Sequence, residues 1–249
     1  MLVIIWNQKL RVRMDNRLIV ALDFDDLDQV TQTVRELSGF ISWFKVGKQL
    51  FTSTGPCIVE QLCGAEKSVF LDLKFHDIPN TVGGAVASAV AIGAHMINIH
   101  ASGGIEMMKT ANRSAEEVSD KLGIPKPKLL AVTVLTSMNQ ETFQEDFSSS
   151  RTLSDQVAYL AVCAQEAGLD GVVASPLEIE IIRKRCGDQF WIVTPGVRPK
   201  TSSLGDQKRV VTPREAIDAG ANQIVVGRPI TQAVDSFQAT ESILAEINK

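Results

Sequence analysis

Residues 68–94 have the sequence SVFLDLKFHDIPNTVGGAVASAVAIGA, which predicts one β-strand followed by one α-helix. The apolar run Ser68–Leu73 is short and mostly unalternating, as in a parallel strand that is buried on both faces. The helix is predicted over Ile78–Ile92, because Pro79 lies in its first turn and Gly93 follows its last residue. The stretch is therefore a complete βα unit.

The same unit recurs along the chain. Short apolar runs alternate with longer segments such as Thr152–Ala167 and Thr212–Ala219, which are predicted to be helices ending before a glycine. Residues 18–249 provide 29 residues for each of eight units, the length of one βα step. We therefore expect an α/β protein with a single-domain (β/α)8 TIM barrel over 18–249, preceded by an N-terminal extension over 1–17. The predicted strands are Leu18–Leu22, Ser42–Val46, Ser68–Leu73, Met96–His100, Leu129–Leu135, Gly171–Ala174, Trp191–Thr194 and Gln223–Val226.

The composition is that of an ordinary globular protein, with 45% hydrophobic and 22% charged residues among 249. A net charge of −4 argues against a nucleic-acid partner, since such proteins usually carry a basic face. No apolar run approaches the roughly 20 residues that span a bilayer, and the first six residues lack the basic region of a signal peptide. We therefore expect a cytoplasmic protein with no membrane partner.

Polar side chains follow the predicted strands, at the end of a barrel where active sites lie. The densest cluster begins with Asp72 and Lys74, which the period of two along a strand places on the same face, towards the barrel mouth. An ion pair at the rim is the ordinary interpretation of these two residues, and a helix N-cap is that of Asp77. The strand-end residues are Asp23, Lys45, Asp72, Lys74, His100, Thr136, Ser137, Ser175, Thr194, Gly227 and Arg228.

These motifs resemble, in order along the chain, those of the orotidine 5′-monophosphate decarboxylase family. The resemblance runs from Asp23 to Ile230 and covers essentially the whole barrel. It implies a (β/α)8 homodimer that decarboxylates orotidine 5′-monophosphate to UMP without a metal or an organic cofactor. The matching segments are Ala21-Leu-Asp-Phe24, Lys45-Val-Gly47, Asp72-Leu-Lys-Phe-His-Asp-Ile-Pro-Asn-Thr81, Leu135-Thr-Ser137, Thr194-Pro-Gly-Val-Arg-Pro199, Asp206-Gln-Lys-Arg-Val210 and Val226-Gly-Arg-Pro229.

The resemblance also implies the role of each site residue. Lys74 is expected to protonate C6 of the pyrimidine and to stabilise the carbanion formed there. Asp72 is expected beside the substrate carboxylate, between Lys45 and Lys74, and Asp77 is expected to reach the site of the partner subunit. The other implied contacts are Ile78 and Thr81 near Asp77, Asp23 and Lys45 at the ribose, Thr136 and Ser137 at the pyrimidine, and Arg198, Gln207, Gly227 and Arg228 at the phosphate.

Two other functions stay open from the sequence. The first is a metal-dependent sugar-phosphate decarboxylase or aldolase of the same superfamily, which shares the Asp-x-Lys-x-x-Asp motif. Its relatives use an acidic residue at the second strand to bind magnesium, whereas this chain has Lys45, which would repel the cation. The second is a non-catalytic nucleotide-binding barrel, which the retained charged positions argue against.

The polar segment Lys200–Gly205 is expected to close over the phosphate, and no role is assigned to His76 and His100.

Overall fold

A computed structural model describes residues 15–199 and 211–249, within which eight parallel strands close into a barrel in sequential order. The predicted (β/α)8 fold class is therefore confirmed. The strands are β1 (Leu18–Ala21), β2 (Trp43–Gly47), β3 (Ser68–Phe75), β4 (Met96–His100), β5 (Lys128–Val132), β6 (Gly171–Val173), β7 (Trp191–Pro195) and β8 (Gln223–Val226). The helices are α1 (Leu27–Leu37), α2 (Lys48–Thr54), α3 (Cys57–Gly64), α4 (Pro79–Ala91), α5 (Ile105–Leu122), α6 (Gln140–Asp146), α7 (Leu153–Glu166), α8 (Ile179–Cys186), α9 (Pro213–Asp218), α10 (Arg228–Thr231) and α11 (Ser236–Ile247).

Five of the eleven described α-helices begin with a side-chain cap. The Thr152 hydroxyl accepts a backbone hydrogen bond at the start of α7, and Thr212 and Glu215 form a capping box at the start of α9. Helix α4 does not begin in this way, because Ile78 stands at its N-cap position and makes no side-chain cap. The Asp77 carboxylate instead accepts a hydrogen bond from the backbone N–H of Ile78, at 2.7 Å. The N-cap interpretation of Asp77 is therefore wrong.

Strand side chains alternate between the barrel interior and the helix layer. Ile19, Phe70, Met96, Leu130 and Val193 form the centre of an apolar cluster inside the barrel. The alternate residues of the same strands pack outwards against the helices in a second, larger cluster. The interior of this barrel is therefore a packed core below its upper end, where the carboxyl ends of the strands lie.

The base of the barrel is joined to residues just before β1. The carbonyl of Arg17 accepts a hydrogen bond from the N–H of Ile224 at 2.8 Å, and the Gln223 side-chain amide donates to the carbonyl of Asn16 at 2.7 Å. The structure describes the predicted extension only from Asp15 onwards. The division of the chain at residue 18 stays a prediction.

The small residues of α4 serve its packing against α5. A Cβ atom at Gly83 would lie 2.8 Å from Ser114 Oγ and 3.1 Å from Thr110 Cγ2 of α5, so it would displace these two side chains. Gly83 therefore permits a close approach of α4 to α5. Among the described residues, no helix combines the length and apolarity needed to cross a membrane.

Two strand ends differ from the prediction at the upper end of the barrel. Strand β3 continues to Phe75, beyond its predicted end, whereas β5 ends at Val132 rather than at Leu135. As a result, Thr136 and Ser137 lie in the loop before α6, where both are exposed. These differences decide which predicted residues reach the mouth of the barrel.

Candidate active site

A cavity of about 370 Å³ opens at the carboxyl ends of the strands. It is lined by residues at or just beyond the carboxyl ends of β1, β2, β3, β7 and β8. These strands lie far apart in the sequence and are brought together by closure of the barrel. Seven predicted site residues line it: Asp23, Lys45, Asp72, Lys74, Arg198, Gly227 and Arg228.

Four of these residues form a connected charge array. Lys45 Nζ lies 2.9 Å from Asp23 Oδ1 and 3.4 Å from Asp72 Oδ2. Lys74 Nζ lies 2.5 Å from Asp72 Oδ1. The Asp72 carboxylate is therefore held between two ammonium groups, while the half-exposed Asp23 carboxylate contacts Lys45.

The central carboxylate of the array is buried and ionised. Burial acts to raise the pKa of Asp72, but the charges of Lys45 and Lys74, with hydrogen bonds from Lys74 and Asn98, outweigh it and hold the pKa below its usual value. Lys45 is itself 8% exposed and Asp72 is 9% exposed. Such a buried pair is stable only because each charge is matched by its neighbours.

A bulge in β3 places Lys74 in the array. Residues Leu71 and Phe75 pair with Ile97 and Ile99 of β4, so four steps along β3 correspond to two along β4. Lys74 within this bulge has φ of +53°, in the left-handed region that a side-chain-bearing residue seldom adopts. Asp72 and Lys74 do meet at the mouth, but through this irregularity and not through the regular alternation that the sequence predicts.

Asn98 of β4 is a site residue that the sequence analysis missed. It is fully buried, its side-chain amide donates a hydrogen bond to Asp72 Oδ1 at 2.6 Å, and its carbonyl oxygen accepts one from the backbone N–H of Lys74 at 2.8 Å. The available signal was a polar residue two positions after Met96 on the inward face of an apolar strand.

The other side of the cavity is cationic. Arg198 is buried after β7, and its backbone N–H donates to the carbonyl of Val211 at 3.1 Å. Gly227 and the exposed Arg228 follow β8, which pairs with β1 where the sheet closes. Guanidinium groups are suited to bidentate binding of phosphate oxygens.

The remaining predicted residues do not line this cavity. Asp77, Ile78 and Thr81 are exposed at the start of α4, with Ile78 66% exposed, and Thr136 and Ser137 are exposed after β5. Gln207 and the predicted closing segment Lys200–Gly205 lie outside the described residues.

Two histidines lie beside the array. The rings of His76 and His100 are 5.2 Å apart, and His100 is half-buried at the end of β4. Burial lowers the pKa of His100 to about 4, with smaller contributions from His76, Lys48 and Lys74, so His100 is neutral at physiological pH.

A closed parallel barrel with a charged cavity at the carboxyl ends of its strands defines the class of (β/α)8-barrel enzymes. Within that class, residues 16–243 match the model of the orotidine 5′-phosphate decarboxylase / HUMPS family. The chain belongs to this family, which confirms the resemblance seen in the sequence.

Individual relatives cover nearly the whole chain. It is 48% identical to an orotidine 5′-phosphate decarboxylase of Moorella thermoacetica over 96% of this chain and 95% of the relative. It is 49% identical to one of Trichlorobacter lovleyi, over 93% of this chain and 95% of the relative. Among solved structures, orotidine 5′-phosphate decarboxylase from Lactobacillus acidophilus superposes with a TM-score of 0.82 at 37% identity, covering 94% of this chain and all of that one.

Proposed function

We propose that this chain is an orotidine 5′-phosphate decarboxylase of pyrimidine biosynthesis, acting in the cytoplasm without a metal or an organic cofactor. The observation that carries the proposal is the buried Asp72 carboxylate between Lys45 and Lys74, at one side of a cavity whose other side presents Arg198 and Arg228. The family to which the chain belongs indicates the substrate, and the cavity has charged groups suited to both ends of that substrate.

The chemical step uses the array as follows. The bond between C6 of the pyrimidine and its carboxylate carbon breaks, CO₂ leaves, and the electron pair remains on C6. The Lys74 ammonium stabilises this carbanion and then donates the proton that forms the C6–H bond of UMP. The neutral amine regains a proton from water.

Repulsion of the substrate by Asp72 contributes only part of the acceleration. Two carboxylates about 4 Å apart repel by about 4 kcal/mol at an effective dielectric constant of 20. That energy corresponds to roughly three decades of rate, whereas slow uncatalysed reactions need up to about 20 kcal/mol of transition-state stabilisation. Stabilisation of the carbanion by Lys74 must therefore supply a large share.

Substrate binding is assigned to groups around the same cavity. Arg198, Arg228 and the Gly227 backbone would hold the phosphate, consistent with the frequent use of the loops after the last two barrel strands. Asp23 and Lys45 would contact the ribose hydroxyls. Thr136 and Ser137 are assigned to the pyrimidine, with Gln207 bridging the base and the phosphate; the exposed loop holding Thr136 and Ser137 would have to approach the bound base.

We assign the exposed start of α4 to the site of a second subunit. The Asp77 carboxylate contacts its own chain through the N–H of Ile78 and does not line the cavity. The neighbouring Ile78 side chain is 66% exposed, which favours burial against another surface. In a homodimer with shared sites, Asp77, Ile78 and Thr81 would complete the partner's array.

The proposed activity is tested with purified protein and orotidine 5′-monophosphate in the presence of EDTA. We expect the substrate absorbance to fall and UMP to accumulate, at a rate that added Mg²⁺ does not change. A protein that leaves orotidine 5′-monophosphate intact but requires Mg²⁺ to act on a sugar phosphate would contradict the proposal. Tight UMP binding without any turnover would also contradict it and would favour a nucleotide-binding barrel.

A further inference from the structure

Asn98 occupies the position in β4 that faces the bulge of β3. The ladder between the two strands is regular up to Leu71 and Ile97 and resumes at Phe75 and Ile99. Asn98 lies in the resulting gap, where the regular hydrogen bonds between the two backbones are interrupted. Its side chain points into the barrel interior, because it shares the inward face of β4 with Met96.

The side chain of Asn98 replaces the interrupted ladder with two hydrogen bonds of its own. The backbone N–H of Lys74, at the left-handed position of the bulge, donates to Asn98 Oδ1 at 2.8 Å. Asn98 Nδ2 donates to Asp72 Oδ1 at 2.6 Å, on the same oxygen that contacts Lys74 Nζ. One buried amide therefore fixes both the backbone of the lysine and the orientation of the carboxylate.

Neither function is available to an apolar residue of similar volume. Leu130 and Met96 lie near Asn98 in the barrel interior, so a leucine would pack there without leaving a cavity. It would, however, leave the Lys74 N–H without an acceptor, and the left-handed backbone at Lys74 persists only when its surroundings determine it.

We propose that Asn98 is a positioning residue, which holds Lys74 in its left-handed conformation and orients the Asp72 carboxylate. The Lys74 ammonium group and the Asp72 carboxylate then both face the reacting carbon. Its kinetic consequence rests on the proposed decarboxylase function, whereas its geometric consequence does not. Asn98 does not touch the substrate in this account; it acts through Asp72 and Lys74.

The first test replaces Asn98 with a leucine. We expect Asn98→Leu to lower kcat by about 100-fold, as a misplaced reacting group does. KM should stay within about threefold of wild type, because the phosphate-binding arginines are untouched. The matched control is Gln223→Leu, which removes another buried barrel amide at the opposite end, bonded to Trp191 and Asn16. The control should keep kcat within about threefold of wild type.

A second variant separates the two hydrogen bonds. Asn98→Asp keeps the acceptor for the Lys74 N–H but, when ionised, places a second negative charge against Asp72. The charged groups that face this position are Lys45 from β2 and Asp72 and Lys74 from β3. The titratable group at the end of β4 is His100, which has a pKa of about 4 and is neutral at pH 7. Protonation of the introduced carboxyl restores the donor to Asp72, so kcat of this variant should rise as the pH falls, relative to wild type at each pH.

A measurement without substrate tests the geometry alone. In NMR hydrogen exchange, the Lys74 amide should be protected in wild type and Asn98→Asp, and should exchange at least about tenfold faster in Asn98→Leu. Unchanged protection in Asn98→Leu, or an equal loss of kcat in the Gln223→Leu control, would overturn the positioning role. Absence of turnover by the wild-type protein would refute the decarboxylase function instead, while the exchange result would still decide the role of Asn98.

Discussion

Removal of the Lys45 ammonium tests how far the buried array depends on mutual charge compensation. Lys45 Nζ lies 3.4 Å from Asp72 Oδ2, a separation that corresponds to about 5 kcal/mol of attraction at an effective dielectric constant of 20. Desolvation of both groups offsets part of this energy in the intact pair, but Lys45→Met leaves a buried carboxylate with one fewer partner. We therefore expect the variant to lose about 3–5 kcal/mol of unfolding free energy at neutral pH.

The pH dependence of that loss identifies its cause. The pKa of Asp72 is depressed in the native protein, so its contribution to stability is present above the unfolded value of 3.8 and is lost as the pH falls through the folded value. In Lys45→Met the pKa of Asp72 should rise, and protonation would then relieve the uncompensated charge. The difference between variant and wild type should accordingly shrink as the pH falls from 7 to 4.

The assay is urea unfolding of wild type, Lys45→Met and the control Lys48→Met at several pH values. Lys48 is an exposed lysine on the same rim, so its replacement should change the unfolding free energy by no more than about 0.5 kcal/mol. The reasoning is refuted if the two variants lose equal stability, or if the loss in Lys45→Met is the same at every pH.

Three further results are expected. Mixing Lys74→Ala and Asp77→Ala chains should restore up to about a quarter of wild-type turnover through hybrid dimers with one intact site, and no rescue despite demonstrated subunit exchange would contradict shared sites. Gly171→Ala should lower the unfolding free energy by at least about 2 kcal/mol, because its Cβ would overlap the backbone of β7, whereas Gly64→Ala, with open space around it, should not; calorimetry compares them. The pKa of His100 is about 4 in the folded protein and 6.5 in the unfolded chain, so the free energy of unfolding falls as the pH falls through that interval. Urea unfolding at several pH values should show a shallower fall in His100→Gln than in wild type. Equal slopes would contradict the low pKa of His100.

The barrel was predictable because its signal is local and repeated. Each strand is a short apolar run, and glycines such as Gly93 and Gly168 end the helices that precede the next strand. Closure follows from the number of units. The predicted positions of Lys45 and Arg228 at strand ends therefore agree with the cavity that the structure describes.

The detailed geometry of the array was not predictable, because it depends on contacts between strands. The bulge in β3 breaks the period of two, and the left-handed Lys74 is held by Asn98, 24 residues further along the chain. The early end of β5, which leaves Thr136 and Ser137 exposed, has no comparable signal in the apolar run before them. Such features arise from tertiary pairing that overrides local preference.

The central claim is that Lys74 is the acid of a decarboxylation centre, and replacement of this one side chain tests it most directly. Turnover of orotidine 5′-monophosphate and the Kd of UMP are measured for wild type and Lys74→Ala. We expect kcat/KM to fall by at least about 1,000-fold, because both the proton donor and the charge that stabilises the carbanion are lost. UMP should still bind with a Kd within about tenfold of wild type through the arginine side of the cavity. Near-native turnover by Lys74→Ala would contradict the account.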